Sequence, residues 1–265
     1  MIKIAATIGN SVLMALAHIG RVFNLFTQTL YWMIVGPFIK KPLSRNNIFF
    51  HMVFSGVNSM LIVFFVAFFT GIVLAMQSAY QLAQLGAEMY VASLVAVSMA
   101  RELGPVLTAL VVAGRVGAAI TAEISSMKVT EQIEALEAIA INPVRFLVVP
   151  RFLALVIMLP CLTIFSDLVG MLGGYIIGVF NLGINSGLYI NITLEFLELK
   201  DIYTGLVKSV FFAMIISIVG CYMGLNASGG AEGVGRSTTV SVVASFILVI
   251  LADCVLTGIF YFSQM

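Results

Sequence analysis

Charge is what this sequence has least of. Asp, Glu, Lys and Arg make up 9% of its 265 residues, against about 25% in an ordinary soluble domain. The net charge is +1. That excludes a nucleic-acid surface, because no basic face is left over to neutralise phosphates. Cysteine is also scarce. Cys161, Cys221 and Cys254 lie in apolar runs with no CxxC or CxxH spacing, so they read as small core residues, not as a disulfide framework or metal site. No Gly-Lys pair occurs anywhere, so a GxxxxGKS/T phosphate loop is impossible and any ATP chemistry needs a partner. The only histidines are His18 and His51. With no nucleophile–base set beside them, they read as interfacial residues and a membrane enzyme is the weakest function class. No internal repeat or low-complexity segment is present.

What the chain has is apolar surface. Hydrophobic residues make up 61% and mean hydropathy is +1.12, which marks an all-α integral membrane protein. The N-terminal apolar content runs on to Val35 with no small-residue cleavage site, so no cleavable signal or transit peptide is expected. Spans of about 20 apolar residues fall at Met52–Met76, Val91–Thr121, Phe146–Phe180, Ile202–Leu225 and Val240–Phe262. Pro150 and Pro160 predict a kink or interfacial lead-in within the third. The chain thus divides into an N-terminal region, 1–45, and a five-span region, 46–265. The N-terminal segment is broken by His18, Arg21, Asn24 and Gln28 and stopped by Gly36-Pro37 and Lys40-Lys41-Pro42. It reads as an interfacial helix with Tyr31 and Trp32 at headgroup level, a sixth span being the alternative.

The basic residues set orientation. With the N-terminus inside, Lys3, Arg21, Lys40, Lys41, Arg45, Lys128, Arg145, Arg151 and Arg236 are all cytoplasmic, and Lys200 alone is outside. The C-terminus is then outside. The Gly-rich stretch Gly224–Thr239 reads as a flexible cytoplasmic turn. Gly170, Gly174 and Gly178, and Gly220 with Gly224, form GxxxG steps that fit close helix packing within one subunit.

The run Glu123 to Ala154 is charged where its neighbours are not. Thr130 can cap a helix carrying Glu131, Glu134 and Glu137 as one acidic ridge, with Ile133, Leu136 and Ala140 on the next face and Asn142-Pro143 as its stop. Either it docks into a cytoplasmic partner or it lies solvated on the headgroups. Five ionisable residues inside spans stand out: Arg101, Glu102, Arg115, Lys208 and Asp253. At about 1.5 Å per residue, Arg101 and Glu102 lie ~15 Å from the outer end, Lys208 ~10 Å and Asp253 ~14 Å. These four share a layer and sum to zero. Lys208 with Asp253 is the natural pair, with Glu102 the alternative partner for Lys208. Arg115 lies deeper towards the cytoplasm and is given a structural role.

The sequence RELGPVLTALVVAGRVGAAITAEISSMKVTEQIEALEAIAINPVRFLVVPR, from Arg101 to Arg151, closely resembles the MlaE family. Members are permease subunits of the ABC transporter that maintains outer-membrane lipid asymmetry. The likeness continues through KSVFFA at Lys208 and LADCVLTGIF around Asp253, and is slight in the first 45 residues. It implies a homodimer of five-span subunits, each with an N-terminal interfacial helix, in a Gram-negative inner membrane. It implies a phospholipid held in a cavity at the homodimer interface. Arg101, Glu102, Lys208 and Asp253 would be cavity or gating positions, and Leu74, Leu82 and Leu103 would touch acyl chains. The Glu131–Ala140 segment would be the coupling helix on an ABC ATPase that itself binds ATP and Mg. Further partners implied are a STAS-domain subunit and a periplasmic hexamer of MCE domains. Two other readings stand beside it: a secondary transporter driven by protons through Glu102, Lys208 and Asp253, which lacks the inverted repeat common in that class, and a non-transporting membrane scaffold.

Overall fold

The computed structural model describes residues 2–36 and 45–262, with side chains from residue 16 onward. Pro37, Lys40, Lys41 and Pro42 lie outside the described residues, as does the Lys3 side chain. Among the described residues the chain is helical and has no strand. Helix α1 is Ile2–Val35. Five helices are long and apolar enough to cross a membrane: α2 Arg45–Ala83, α3 Glu88–Val129, α5 Val144–Asn181, α7 Leu199–Leu225 and α8 Gly230–Phe262. Two short helices connect them, α4 Gln132–Ala138 and α6 Ser186–Phe196. All-helical spanning structure is what lipid demands, since every backbone N–H and C=O must be satisfied within its own segment.

The observed helices are longer than the apolar runs that mark them. At 42 residues, α3 is about 63 Å long, twice the ~30 Å hydrocarbon core. It is long enough to carry α4 clear of the bilayer. Helix α8 begins at Gly230, so the expected flexible turn shrinks to the few residues before it, where Gly229 and Gly230 take positive φ of 95° and 69°. Helix α5 continues past Pro160 without interruption. Pro150 follows a π-helical turn, Val144–Val148, that opens the helix. Helix α6 was not expected. Asn185 caps it by accepting from the N–H groups of Gly187 (2.9 Å) and Leu188 (3.3 Å).

Helix α7 is the centre of the bundle, packed against α3, α5 and α8, while α2 lies along α5. Of the most apolar stretch of α7, 61% is buried, against 11% for α8, so α8 turns most of its apolar surface outward. The glycine steps work within the chain. A Cβ at Gly71 would stand 1.9 Å from the Gly170 carbonyl, one at Gly178 would meet the Tyr189 ring at 2.3 Å, and one at Gly224 would meet Ile124 at 2.7 Å. Helix α1 packs on α5 and α7, with His18 Nδ1 2.7 Å from the Tyr222 hydroxyl.

Candidate functional site

The charge layer begins with a local backbone defect. Met99–Leu103 is a π-helical turn inside α3, and Pro105 follows it. Proline has no N–H, so it cannot bond the carbonyl four residues back, which is that of Arg101. The freed Arg101 carbonyl is taken by a side chain from another helix: Lys208 Nζ on α7 donates to it at 3.2 Å. The same ammonium donates to Glu102 Oε2 at 2.6 Å and to Thr257 Oγ1 on α8 at 2.7 Å. Thr257 in turn donates to Glu102 Oε1 at 3.1 Å. An ammonium has three N–H donors, and all three are now used. Asp253 Oδ1 lies 3.0 Å from Nζ as an ion-pair partner, yet no hydrogen bond reaches it. Lys208 is 1% exposed; a charge buried this deeply persists only when paired.

Lys208 therefore takes both partners considered for it, Glu102 by hydrogen bond and Asp253 by charge. Arg101 points to a different neighbour. Its Nε donates to Asp201 on α7. The buried Asp201 also accepts from the Glu198 N–H at 3.2 Å, completing a capping box at the start of α7. One carboxylate thus starts a helix and holds the arginine. The Arg101 side chain stays 40% exposed. A small cavity opens beside the network, lined by Arg101, Glu102, Lys208, Thr257 and the aromatic rings of Phe260 and Tyr261. Leu74, Leu82 and Leu103, from α2 and α3, pack together on one apolar cluster built on Ala75, Val91, Val95 and Met99.

The model of the family described as permease MlaE matches residues 48–259. The chain belongs to the MlaE permease family. A probable ABC transporter permease protein of Rickettsia prowazekii (strain Madrid E) is 41% identical over 261 residues, covering 98% of this chain and 99% of its own. The intermembrane phospholipid transport system permease protein MlaE of Haemophilus influenzae is 38% identical over 234 residues, 87% of this chain and 90% of its own. A probable ABC transporter permease protein of Synechocystis sp. is 41% identical over 219 residues, 83% of each chain. With the Rickettsia relative, similarity reaches well into the first 45 residues, where motifs alone showed little.

This MlaE-family chain places the acidic helix at the far end of α3. Thr130 does not cap it. The Thr130 hydroxyl donates back to the Ser126 carbonyl at 2.8 Å and closes α3 instead. Glu131 is the N-cap residue of α4, in the left-handed region with φ 59°, and Ala140 beyond the other end has the same φ. The helix stops at Ala138, before the expected Asn142-Pro143. Glu131, Glu134 and Glu137 are exposed. Ile133 is only 4% exposed, and it packs with Leu136 into this chain's own main core. Lys128 at the end of α3 bonds Glu134, tying the two helices together.

Arg115 has the structural role expected of it. The turn at Gly56 breaks the helical hydrogen bonding of α2. From α3, Arg115 donates across to that turn, to the Phe54 carbonyl at 3.2 Å and to Ser59 Oγ at 2.6 Å. Sequence reading missed four participants. Asp201 lies seven residues before Lys208, on the same helical face. Thr257 lies one turn after Asp253. Both spacings were visible, but neither residue looks costly alone. Asp167 is a further ionisable residue within a span, only 7% exposed on α5, and its Oδ1 has no hydrogen-bond partner. It rests against Gly104, immediately behind the π-turn; a Cβ on Gly104 would stand 1.7 Å from that oxygen. Arg151, read as an inner loop charge, is buried at 3% exposure.

Proposed function

We propose that this chain is the permease subunit of an ATP-driven phospholipid transporter working between the inner and outer membranes of a Gram-negative bacterium. The observation that carries the reading is the buried Lys208 network. Three helices converge on one ammonium through a defect in α3, beside a cavity and next to a half-exposed arginine. An apolar contact would hold helices together as well as a buried ion pair does. A charge layer kept at that depth fits a polar headgroup better than it fits simple packing. The guanidinium of Arg101 suits a lipid phosphate, and Leu74, Leu82 and Leu103 supply an apolar wall for acyl tails. The name of the Haemophilus relative, a phospholipid transport permease, supports the same substrate.

Two copies form the transporter, with the lipid between them; the outward apolar face of α8 is available for that seam. Glu131, Glu134 and Glu137 meet an ABC ATPase that binds ATP and Mg, while Ile133 and Leu136 seat the coupling helix on its own subunit. A STAS-domain subunit on the cytoplasmic side and an MCE-domain hexamer on the periplasmic side complete the assembly. The N-terminus is cytoplasmic, the C-terminus periplasmic, and α1 lies in the interface. Affinity purification from the native membrane in mild detergent, with mass spectrometry of proteins and lipids, tests this. A P-loop ATPase and phospholipid are expected to co-purify. A lone homo-oligomer at good yield would falsify the ABC reading.

One observation favours a proton-driven alternative. Glu102 and Asp253 both face the one ammonium of Lys208, so the layer holds two carboxylates around a single buried cation. Lipid movement driven by a pH gradient without nucleotide would select that reading.

A further inference from the structure

A second polar cavity, of about 310 Å³, lies at the opposite end of the bundle between α2, α3 and α5. Asn47, His51, Glu123 and Arg151 line it with Phe50 and Phe146. None of these residues contributes to the charge layer or the coupling helix.

Its chemistry is specific. The Arg151 side chain is 3% exposed. Nη1 donates to the Leu147 carbonyl at 2.6 Å, and Nη2 pairs with Glu123 Oε1 at 2.8 Å. Nε is buried with no acceptor at all. A guanidinium carries five N–H donors, and a buried donor left unmet is costly. The Glu123 side chain is 53% exposed, so the carboxylate bonded to Arg151 is open on its other side. His51 is buried at 6%. Phe50 and Phe146 are 65% and 44% exposed, so two apolar rings stand open at the rim.

We propose that this cavity binds the zwitterionic headgroup of an aminophospholipid from the cytoplasmic leaflet. The phosphate sits toward Arg151 and Asn47, the ammonium toward Glu123, and the glycerol end against Phe50 and Phe146. Arg151 and Glu123 sum to zero, so a bare anion gains from one and is repelled by the other. A zwitterion whose two charges match the two residues gains from both, and a primary ammonium can donate to Glu123 where a quaternary one cannot. The inference rests on the membrane orientation and not on lipid passage through the Lys208 layer.

The test uses the full complex in phosphatidylcholine nanodiscs doped with a photoactivatable phosphatidylethanolamine or phosphatidylglycerol, with labelled peptides mapped by mass spectrometry. The ethanolamine probe is expected to label the Asn47–His51 and Phe146–Arg151 peptides at least fivefold over the glycerol probe. Glu123→Gln should bring that ratio below twofold, and Asn47→Leu should lower labelling by both probes. Asn47 carries no charge and pairs with no buried one, so Asn47→Leu keeps the test alive if Glu123→Gln, which leaves Arg151 unpaired, fails to fold. Equal labelling by the two lipids in the unaltered protein overturns the proposal. So does labelling that neither variant changes, or that inorganic phosphate alone abolishes, which would mark a free-anion site. Peptides around Lys208 are read in the same maps, so failure here is distinguishable from failure of the transport reading.

Discussion

At the scale of single residues, Lys208 has the most to lose. Four oxygens surround its ammonium, two of them carboxylate oxygens from Glu102 and Asp253. Removing one member of a buried ion pair typically costs about 3–5 kcal/mol, because the partner charge is left without compensation. Lys208→Ala should lose lipid transfer, and its thermal midpoint should fall. Adding Glu102→Gln to Lys208→Ala should recover part of the stability, Asp253 remaining unpaired, but not transfer. Unchanged transfer in Lys208→Ala at normal expression would sink the charge-layer proposal. Gly104 is the second sensitive position. Its missing Cβ leaves room for Asp167 on one side and the Met99 carbonyl on the other, at 1.7 and 2.9 Å from where a methyl would stand. Gly104→Ala should cost about 1–3 kcal/mol by overpacking, read as a lower denaturation midpoint in detergent. Asp167→Ala in the same chain should return part of it; no rescue would mean that the clash lies elsewhere.

Among the elements, α4 shows most clearly how position changes what a pattern means. Its acidic ridge was legible as glutamates three apart. That Ile133 and Leu136 face the chain's own core was not, because an apolar stripe on a short helix looks the same whether it awaits a partner or has found one. Both residues flanking the helix take left-handed backbone, at a cost of about 1–2 kcal/mol each, so its angle to α3 is held by packing and by the Lys128–Glu134 bond. Glu131→Lys with Glu134→Lys should release the ATPase subunit on purification; retained ATPase would move the docking site elsewhere. The Lys128 hydrogen bond also holds the Glu134 carboxyl below its usual pKa, with the lysine charge adding to it. A carboxylate depressed on folding stabilises above its unfolded pKa and loses that contribution as pH falls through the folded one. The exchange protection of the α4 amides, taken relative to their intrinsic rates at each pH, should therefore fall on acidification through the carboxylate range. The Lys128→Met variant should start fast and respond little to pH, and an equal response in both would remove Lys128 from the account.

For the molecule as a whole, the uneven burial of α7 and α8 matters most. A helix as apolar as α8 and only 11% buried in its most apolar stretch must meet lipid or a second copy. The proposed seam predicts disulfide cross-linking through Cys254, which is exposed on α8, in a Cys161→Ser background. Ile250→Cys, one turn earlier, should cross-link as well. Monomer bands at both positions under oxidation, in a complex that still elutes as a dimer, would move the seam to another helix. Composition alone determined that the chain lies in lipid, and its apolar runs marked five candidate spans, because some twenty consecutive apolar residues have no cheaper environment. The order of Arg, Glu and Pro around Arg101 identified the family, since each is costly in a span and rarely recurs by chance. Partnership was a different matter. Asp201, Thr257 and Asp167 became part of the site only when α3, α5, α7 and α8 were brought side by side. Arg151 changed from a loop charge to a buried one for the same reason. The local sequence decides whether a residue can enter the membrane at a tolerable cost; which group then meets it is decided by helices far apart in the chain, and only their packing contains that information.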